Sequence, residues 1–177
     1  MLWRSFHRTP DLKEYFMSLL IFPASAGAQK ADVNAALTAG PGTDVAVLEQ
    51  KAADSIQAAI VGYGLAADGL DISFDAATAT VTVQGEAPDQ AAKEKILLVC
   101  GNVKGVAAVN DEMSVTAPSD PSQFYTVVSG DNLSKIAAQC YGNANDYPKI
   151  VDANQPMIVN ADKIYPGQVL RIPPKTW

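Results

Sequence analysis

Few side chains in this sequence can do covalent or acid–base chemistry. The one histidine, His7, stands near the start and far in sequence from Cys100 and Cys140. Neither a Cys–His nucleophile nor a histidine-bearing metal set can be drawn from them. Glu86, Asp89 and Glu94 come nearest to a carboxylate cluster, but Lys93 and Lys95 are interleaved with them. Acids in the opening turns of a helix answer to the helix dipole, so the group reads as a solvated face. With no proton carrier and no activated nucleophile, nothing in the chain argues for an enzyme. What remains is backbone chemistry. A helix ending near Cys100 leaves its last carbonyls unpaired at the negative end of the dipole. Gly101 and Gly105 let the following loop curl so that further carbonyls converge. Such oxygens can replace the water shell of a large, weakly hydrated monovalent cation, whereas calcium and magnesium favour charged oxygen ligands. A plain helix stop followed by a turn accounts for the same glycines, and the residues alone leave both readings open.

The elements that must position this loop follow from periodicity. Over 47–63, Leu48, Ala52, Ile56, Ala59, Ile60 and Tyr63 draw one stripe on a helix, stopped by Gly62 and Gly64. Leu70, Ile72 and Phe74 alternate with polar residues, then Ala79, Val81 and Val83 do the same, which predicts a hairpin of two half-buried strands. Pro88 suits the first turn of a second helix, with Ala92, Ile96, Val99 and Cys100 inward and Gly101 at its end. A last strand should hold Val109, Met113 and Val115. Helices must then cover one face of a small sheet.

After the turn-rich linker 117–123 a second pattern begins. Phe124 to Val128 reads as a strand, and either Asp131 or Asn132 can cap a helix carrying Leu133, Ile136, Ala137, Cys140 and Tyr141. A short helix with Tyr147, Ile150 and Val151 inward follows, and Val169 to Ile172 closes the unit as a strand. The expected class is α+β. Its parts are a first segment 1–30, a linker 31–46 containing Gly40-Pro41-Gly42, a helix-strand-strand-helix-strand domain 47–116, and a strand-helix-helix-strand domain 124–173. The two cysteines fall in different domains, each on the apolar side of a helix, and are expected as buried free thiols.

The first 30 residues support two readings. Arg4, Arg8 and Lys13 precede the apolar run from Tyr15 to Phe22 and the small residues after Pro23, in the order of an export signal. Asp11 and Glu14 interrupt that basic region, and the apolar run is too short to span a bilayer. A start at Met17 would remove every one of those basic residues. The simpler expectation is an intracellular protein whose short apolar segment packs on its own first domain. A net charge of -6 with no run of Lys or Arg gives no reason to expect nucleic acid.

Two families are resembled. The first domain is similar to a BON domain, on Val81-Thr82-Val83-Gln84-Gly85 and Val103-Lys104-Gly105-Val106-Ala107-Ala108-Val109-Asn110. The second resembles a LysM domain, on Tyr125-Thr126-Val127, Gly130-Asp131, Leu133, Ile136-Ala137, Asn154 and Pro166-Gly167-Gln168-Val169-Leu170-Arg171-Ile172-Pro173, with Asn132 where a threonine is usual. The LysM resemblance implies a shallow groove for N-acetylglucosamine-containing glycans, with Gly130, Asp131, Asn132 and Leu133 on one wall and Met157, Ile158, Val159 and Ile164 on the other. In this order the pair resembles the small bacterial BON–LysM potassium-binding proteins. That resemblance implies a cytoplasmic, monomeric protein that binds K+ in adaptation to high potassium or osmotic stress. The carbonyls of Gly101, Val103, Gly105 and Val106 are then the expected ligands, with Pro23 and Ala26 closing the site. The alternative it leaves is a peptidoglycan or chito-oligosaccharide module that tethers the BON domain to the cell wall.

Overall fold

The computed structural model describes residues 19–23, 31 and 33–175. Its first half is a four-stranded sheet in the order β1 (Leu19–Ile21), β4 (Ala108–Ala117), β3 (Thr80–Asp89), β2 (Asp68–Asp75). β2 and β3 form the expected antiparallel hairpin. β3 and β4 run parallel, which requires a crossover, and α3 (Gln90–Gly101) supplies it. α2 (Val45–Gly62) packs on β2, and α3 packs on β3 and β4. The alternation in the strands buries Ile72, Phe74, Val81, Val83 and Val109 against Ile56 and Ile60 of α2 and Ile96 and Val99 of α3.

The second half pairs β5 (Gln123–Thr126) antiparallel with β6 (Val169–Ile172) beneath α4 (Leu133–Tyr141) and α5 (Tyr147–Ala153). Leu133, Ile136, Ile150, Ile158, Leu170 and Ile172 form a core of its own. Asn154 ties this half together. Its amide donates to the carbonyls of Ile150 at 2.8 Å and Arg171 at 2.7 Å, while its oxygen accepts from the Arg171 amide at 2.8 Å. The mixture of helix and strand in both halves is α+β, as read from the pattern.

Several local expectations are corrected. Pro88 lies in β3 and not in a helix; the strand runs on to Asp89, whose extended backbone lets its carboxylate cap α3 by accepting from the Ala92 amide at 2.7 Å. Ala79 is in the turn, at φ 52, and Tyr147 faces outward, 37% exposed. Within 31–46, read as a linker, α1 (Asn34–Leu37) forms and Val33 and Ala36 are buried. The reason is a vacancy at Gly105, where a side chain would meet Val33 and Leu37.

Glu94 is the largest departure. It was read as solvated with Glu86 and Asp89, yet it is 2% exposed. α3 is covered on one side by the sheet and on the other by β6, so a residue off the sheet-facing stripe is still buried. Its carboxylate meets Arg171 Nε at 2.6 Å, accepts from the Ser122 backbone amide at 2.8 Å, and accepts from Gln90 Nε2 at 3.0 Å.

Candidate functional site

The loop after α3 is largely buried. Asn102, Val103 and Val106 are buried, and the Asn102 and Val103 amides donate to the carbonyls of Leu98 and Cys100 at 3.0 and 3.3 Å. Val103 accepts from the Val106 amide at 3.1 Å, so that carbonyl already has one partner. Among the described residues, no backbone amide donates to the carbonyls of Gly101, Gly105 or Val106. Gly105 sits at φ +99, where a side chain would be strained.

β1 brings the N-terminal segment to this loop. Leu19, Leu20 and Ile21 pair with Asn110, Val109 and Ala108, and the Phe22 amide donates to the Ala107 carbonyl at 2.8 Å. Phe22 is 4% exposed, and its ring occupies the space a Gly101 side chain would need. Of the apolar run, residues 19–22 therefore pack on the first domain, and Pro23 follows them directly. Ala26 lies outside the described residues. Gly101, Val103, Gly105 and Val106 thus share one loop, with Phe22 packed over Gly101 and Pro23 next to it in sequence. The structure adds Val33 and Leu37, which pattern reading assigned to a linker.

A second addition is Asn102. Its side-chain amide donates to the Val169 carbonyl at 2.9 Å and its oxygen accepts from the Val169 amide at 2.8 Å. The candidate loop is therefore hydrogen-bonded to β6 of the other half, close in sequence to the Glu94–Arg171 pair. An asparagine after a helix signals only a helix end, and nothing in the sequence showed which strand it would meet. Burial pushes the Glu94 carboxyl up. The Gln90, Arg171 and Ser122 hydrogen bonds outweigh burial, and its pKa lies below the ordinary 4.5.

In the second half, Gly130 is exposed with open space around it. Asn132, rather than Asp131, caps α4 by accepting from the Lys135 amide at 2.9 Å. Asp131 instead holds the turn, accepting from the Val128 amide at 2.9 Å and the Tyr125 hydroxyl at 3.0 Å. Leu133 and Ile158 are core residues, 2% and 1% exposed. Ile164 packs against that core, and Met157 packs toward the core of the first half. Val159, Tyr165 and Val128 are the exposed apolar side chains of this region.

Both cysteines are free. Cys100 is fully buried, which pushes its thiol up to about 12, and the half-buried Cys140 is raised for the same reason. Among the described residues no group of three or more His, Cys, Asp or Glu could hold a metal, and no helix is long and apolar enough to cross a membrane.

Comparison with known proteins agrees with this division. The family model of the BON domain matches residues 49–117, and that of the LysM domain matches residues 125–173. The potassium binding protein Kbp of Escherichia coli is 55% identical over 106 residues, 60% of this chain and 71% of that protein. An uncharacterized protein of Deinococcus radiodurans is 55% identical over 49 residues, 28% of this chain and 19% of its own length. The chain belongs to the family of small bacterial proteins, Kbp among them, in which a BON domain is followed by a LysM domain.

Proposed function

We propose that this protein binds potassium through backbone carbonyls of the loop 101–106, completed by the segment that follows β1, and is not an enzyme. The observation that carries the reading is the relative that is 55% identical and is named for potassium binding. The loop is a suitable place for the ion for three reasons. Among the described residues the carbonyls of Gly101, Gly105 and Val106 take no backbone amide donor, Phe22 packs over Gly101 with Pro23 next in sequence, and the oxygens are neutral. Neutral oxygens favour a weakly hydrated monovalent ion over calcium or magnesium. Action in the cytoplasm, in adaptation to high potassium or osmotic stress, belongs to the same reading. Two free thiols suit a reducing compartment.

The LysM half supports a second reading, binding of N-acetylglucosamine-containing glycan beside Gly130 and Asp131, where Val128, Val159 and Tyr165 are exposed. Melting in potassium, sodium and lithium chlorides at equal ionic strength separates the two. A ligand that binds only the folded state adds about 2.7 kcal/mol at about 100 times its Kd. A rise in Tm with potassium that exceeds both other salts, and is lost in Gly105→Val, supports the ion site. Equal Tm in all three salts, together with a rise on adding chito-oligosaccharide, leaves only the second reading.

A further inference from the structure

The loop proposed to hold the ion carries a charge of its own. Between Ile96 and Asn110 the only charged side chain is that of Lys104. It stands between Val103 and Gly105, two of the residues whose carbonyls are the proposed ligands. The described residues that hold the loop, Phe22, Val33, Leu37, Ala79 and Val169, are uncharged, so none of them offsets it. Lys104 is exposed, and among the described residues its ammonium meets no carboxylate within ion-pair distance.

The backbone keeps that charge in place. The Val106 amide donates to the Val103 carbonyl at 3.1 Å, which closes a turn with Lys104 and Gly105 at its corner. Gly105, at φ +99, supplies the left-handed second corner residue, whereas the first corner accepts most residue types. Val103 and Val106 on either side are buried. The turn therefore requires the glycine and leaves the lysine unexplained. Consecutive Cα atoms are about 3.8 Å apart, so an ammonium on a four-carbon stem stays within about 10 Å of the Val103 carbonyl. That is about one Debye length at 0.1 M salt, near enough for an ion seated on that oxygen to feel the charge.

We propose that Lys104 is a specificity-determining residue of the ion site, a fixed positive charge that holds divalent cations off while still letting a monovalent ion bind. The inference rests on the potassium reading proposed above. Coulomb repulsion is proportional to the product of the charges, so the factor by which Lys104 weakens a monovalent ion is squared for a divalent ion of the same size. Neutral carbonyls select by hydration and radius, which gives them little hold against a divalent ion of potassium's radius. A fixed charge acts on such an ion whatever its size. It also weakens potassium itself, which suits a site that responds when potassium is abundant.

Barium, a divalent ion of nearly potassium's radius, is the probe. Isothermal titration of potassium and of barium chloride, each alone and at a low ionic strength held constant with choline chloride, gives the two affinities. Lys104→Met is expected to tighten potassium about twofold to tenfold, and barium by about the square of the factor found for potassium. Both gains should shrink as salt is raised. Lys104→Arg keeps the charge, and Lys163→Met makes the same change of net charge on the exposed surface of the LysM half; both are expected to match the unaltered protein. If Lys104→Met leaves potassium unchanged while Gly105→Val abolishes its binding, the ion site stands and the inference is overturned. A neighbour that neutralises Lys104 would give that result. Equal factors for the two ions also overturn it, as does barium that binds neither protein, since the carbonyls would then exclude divalent ions unaided. If neither the unaltered protein nor Lys104→Met binds potassium, the ion site itself falls and the inference with it.

Discussion

Two glycine-bearing loops adjoin helices in this protein, one in each half, and they are held in opposite ways. Loop 101–107 follows α3 and is fixed from a distance. Phe22 fills the space over Gly101, Val33 and Leu37 fill it over Gly105, Ala79 accepts from the Ala107 amide at 2.8 Å, and Val169 is gripped by Asn102. Loop 128–132 precedes α4 and is fixed locally. Asp131 holds Val128 and Tyr125, Asn132 holds Lys135, and Lys135 Nζ donates to the Gly130 carbonyl at 2.8 Å. The first shape exists only when remote parts of the chain are assembled; the second needs little beyond its own residues. A ligand on the first would be sensitive to changes far from it.

The largest expected effect tests that sensitivity from the other half. Arg171→Met leaves Glu94 buried with its charge uncompensated, and losing one member of a buried pair costs about 3–5 kcal/mol. Denaturant unfolding should show that loss, and amide spectra should show shifts in loop 101–107 although Arg171 is a LysM residue. A loss under about 1 kcal/mol, the range of surface pairs, would mean the halves are not energetically joined here.

Gly101→Val is next. Its side chain needs the space of the Phe22 ring, and overpacking of this kind costs about 1–3 kcal/mol. Phe22 should be displaced, exchange of the Phe22 amide should accelerate, and any stabilisation by potassium should disappear. Gly130→Ala is the matched change in the other loop. It meets no atoms and suffers only its φ of +88, so potassium stabilisation should persist there. Equal loss of the potassium effect in both variants would contradict the placement of the ion.

The contrast also explains what could be read from the sequence. The LysM turn, its cap and the stripe Leu133, Ile136 and Ala137 were legible because the determinants lie a few residues apart. The helix and strand order of the BON half was legible for the same reason. Glu94 was misread because its burial depends on β6, 77 residues away at Arg171. Asn102 was unread for the same cause, its partner Val169 being 67 residues distant. Val33 was missed because the vacancy it fills belongs to Gly105. The glycines of the loop pointed to its carbonyls as ion ligands, which remains a proposal, and which of those carbonyls already have amide partners came only from the fold.

Acid should weaken the joint between the halves at the Glu94–Arg171 pair. Burial raises the Glu94 carboxyl, but the bonds from Gln90, Arg171 and Ser122 hold its pKa below 4.5 in the folded protein. A carboxyl with a lowered folded pKa binds protons more readily when unfolded, so its contribution is present above the unfolded value and is lost as pH falls through the folded one. Stability should therefore decline below about pH 4.5, and Glu94→Gln should flatten that part of the profile. An unchanged acid slope in Glu94→Gln would assign the decline to other carboxylates.

The smallest expected effect belongs to Asp131→Ala, and its smallness is the point of the comparison. The carboxylate makes two hydrogen bonds, to the Val128 amide and the Tyr125 hydroxyl, in an exposed turn. Exposed groups that lose a partner regain water, so the cost should stay near about 1 kcal/mol, the net value of ordinary hydrogen bonds. Tyr125 reports the change directly. Its pKa is raised first by burial and then by the hydrogen bond to Asp131 and that residue's charge. Removing the carboxylate should bring the tyrosine back toward its ordinary value of 10.0 in an ultraviolet titration. If the ion sits in the first half, the rise in Tm with potassium must be the same in Asp131→Ala as in the unaltered protein. The variant breaks only the local loop, and none of the residues that hold loop 101–107 touches it. A potassium effect that vanished together with the Tyr125 shift would move the ion to the LysM turn and reverse the roles of the two loops.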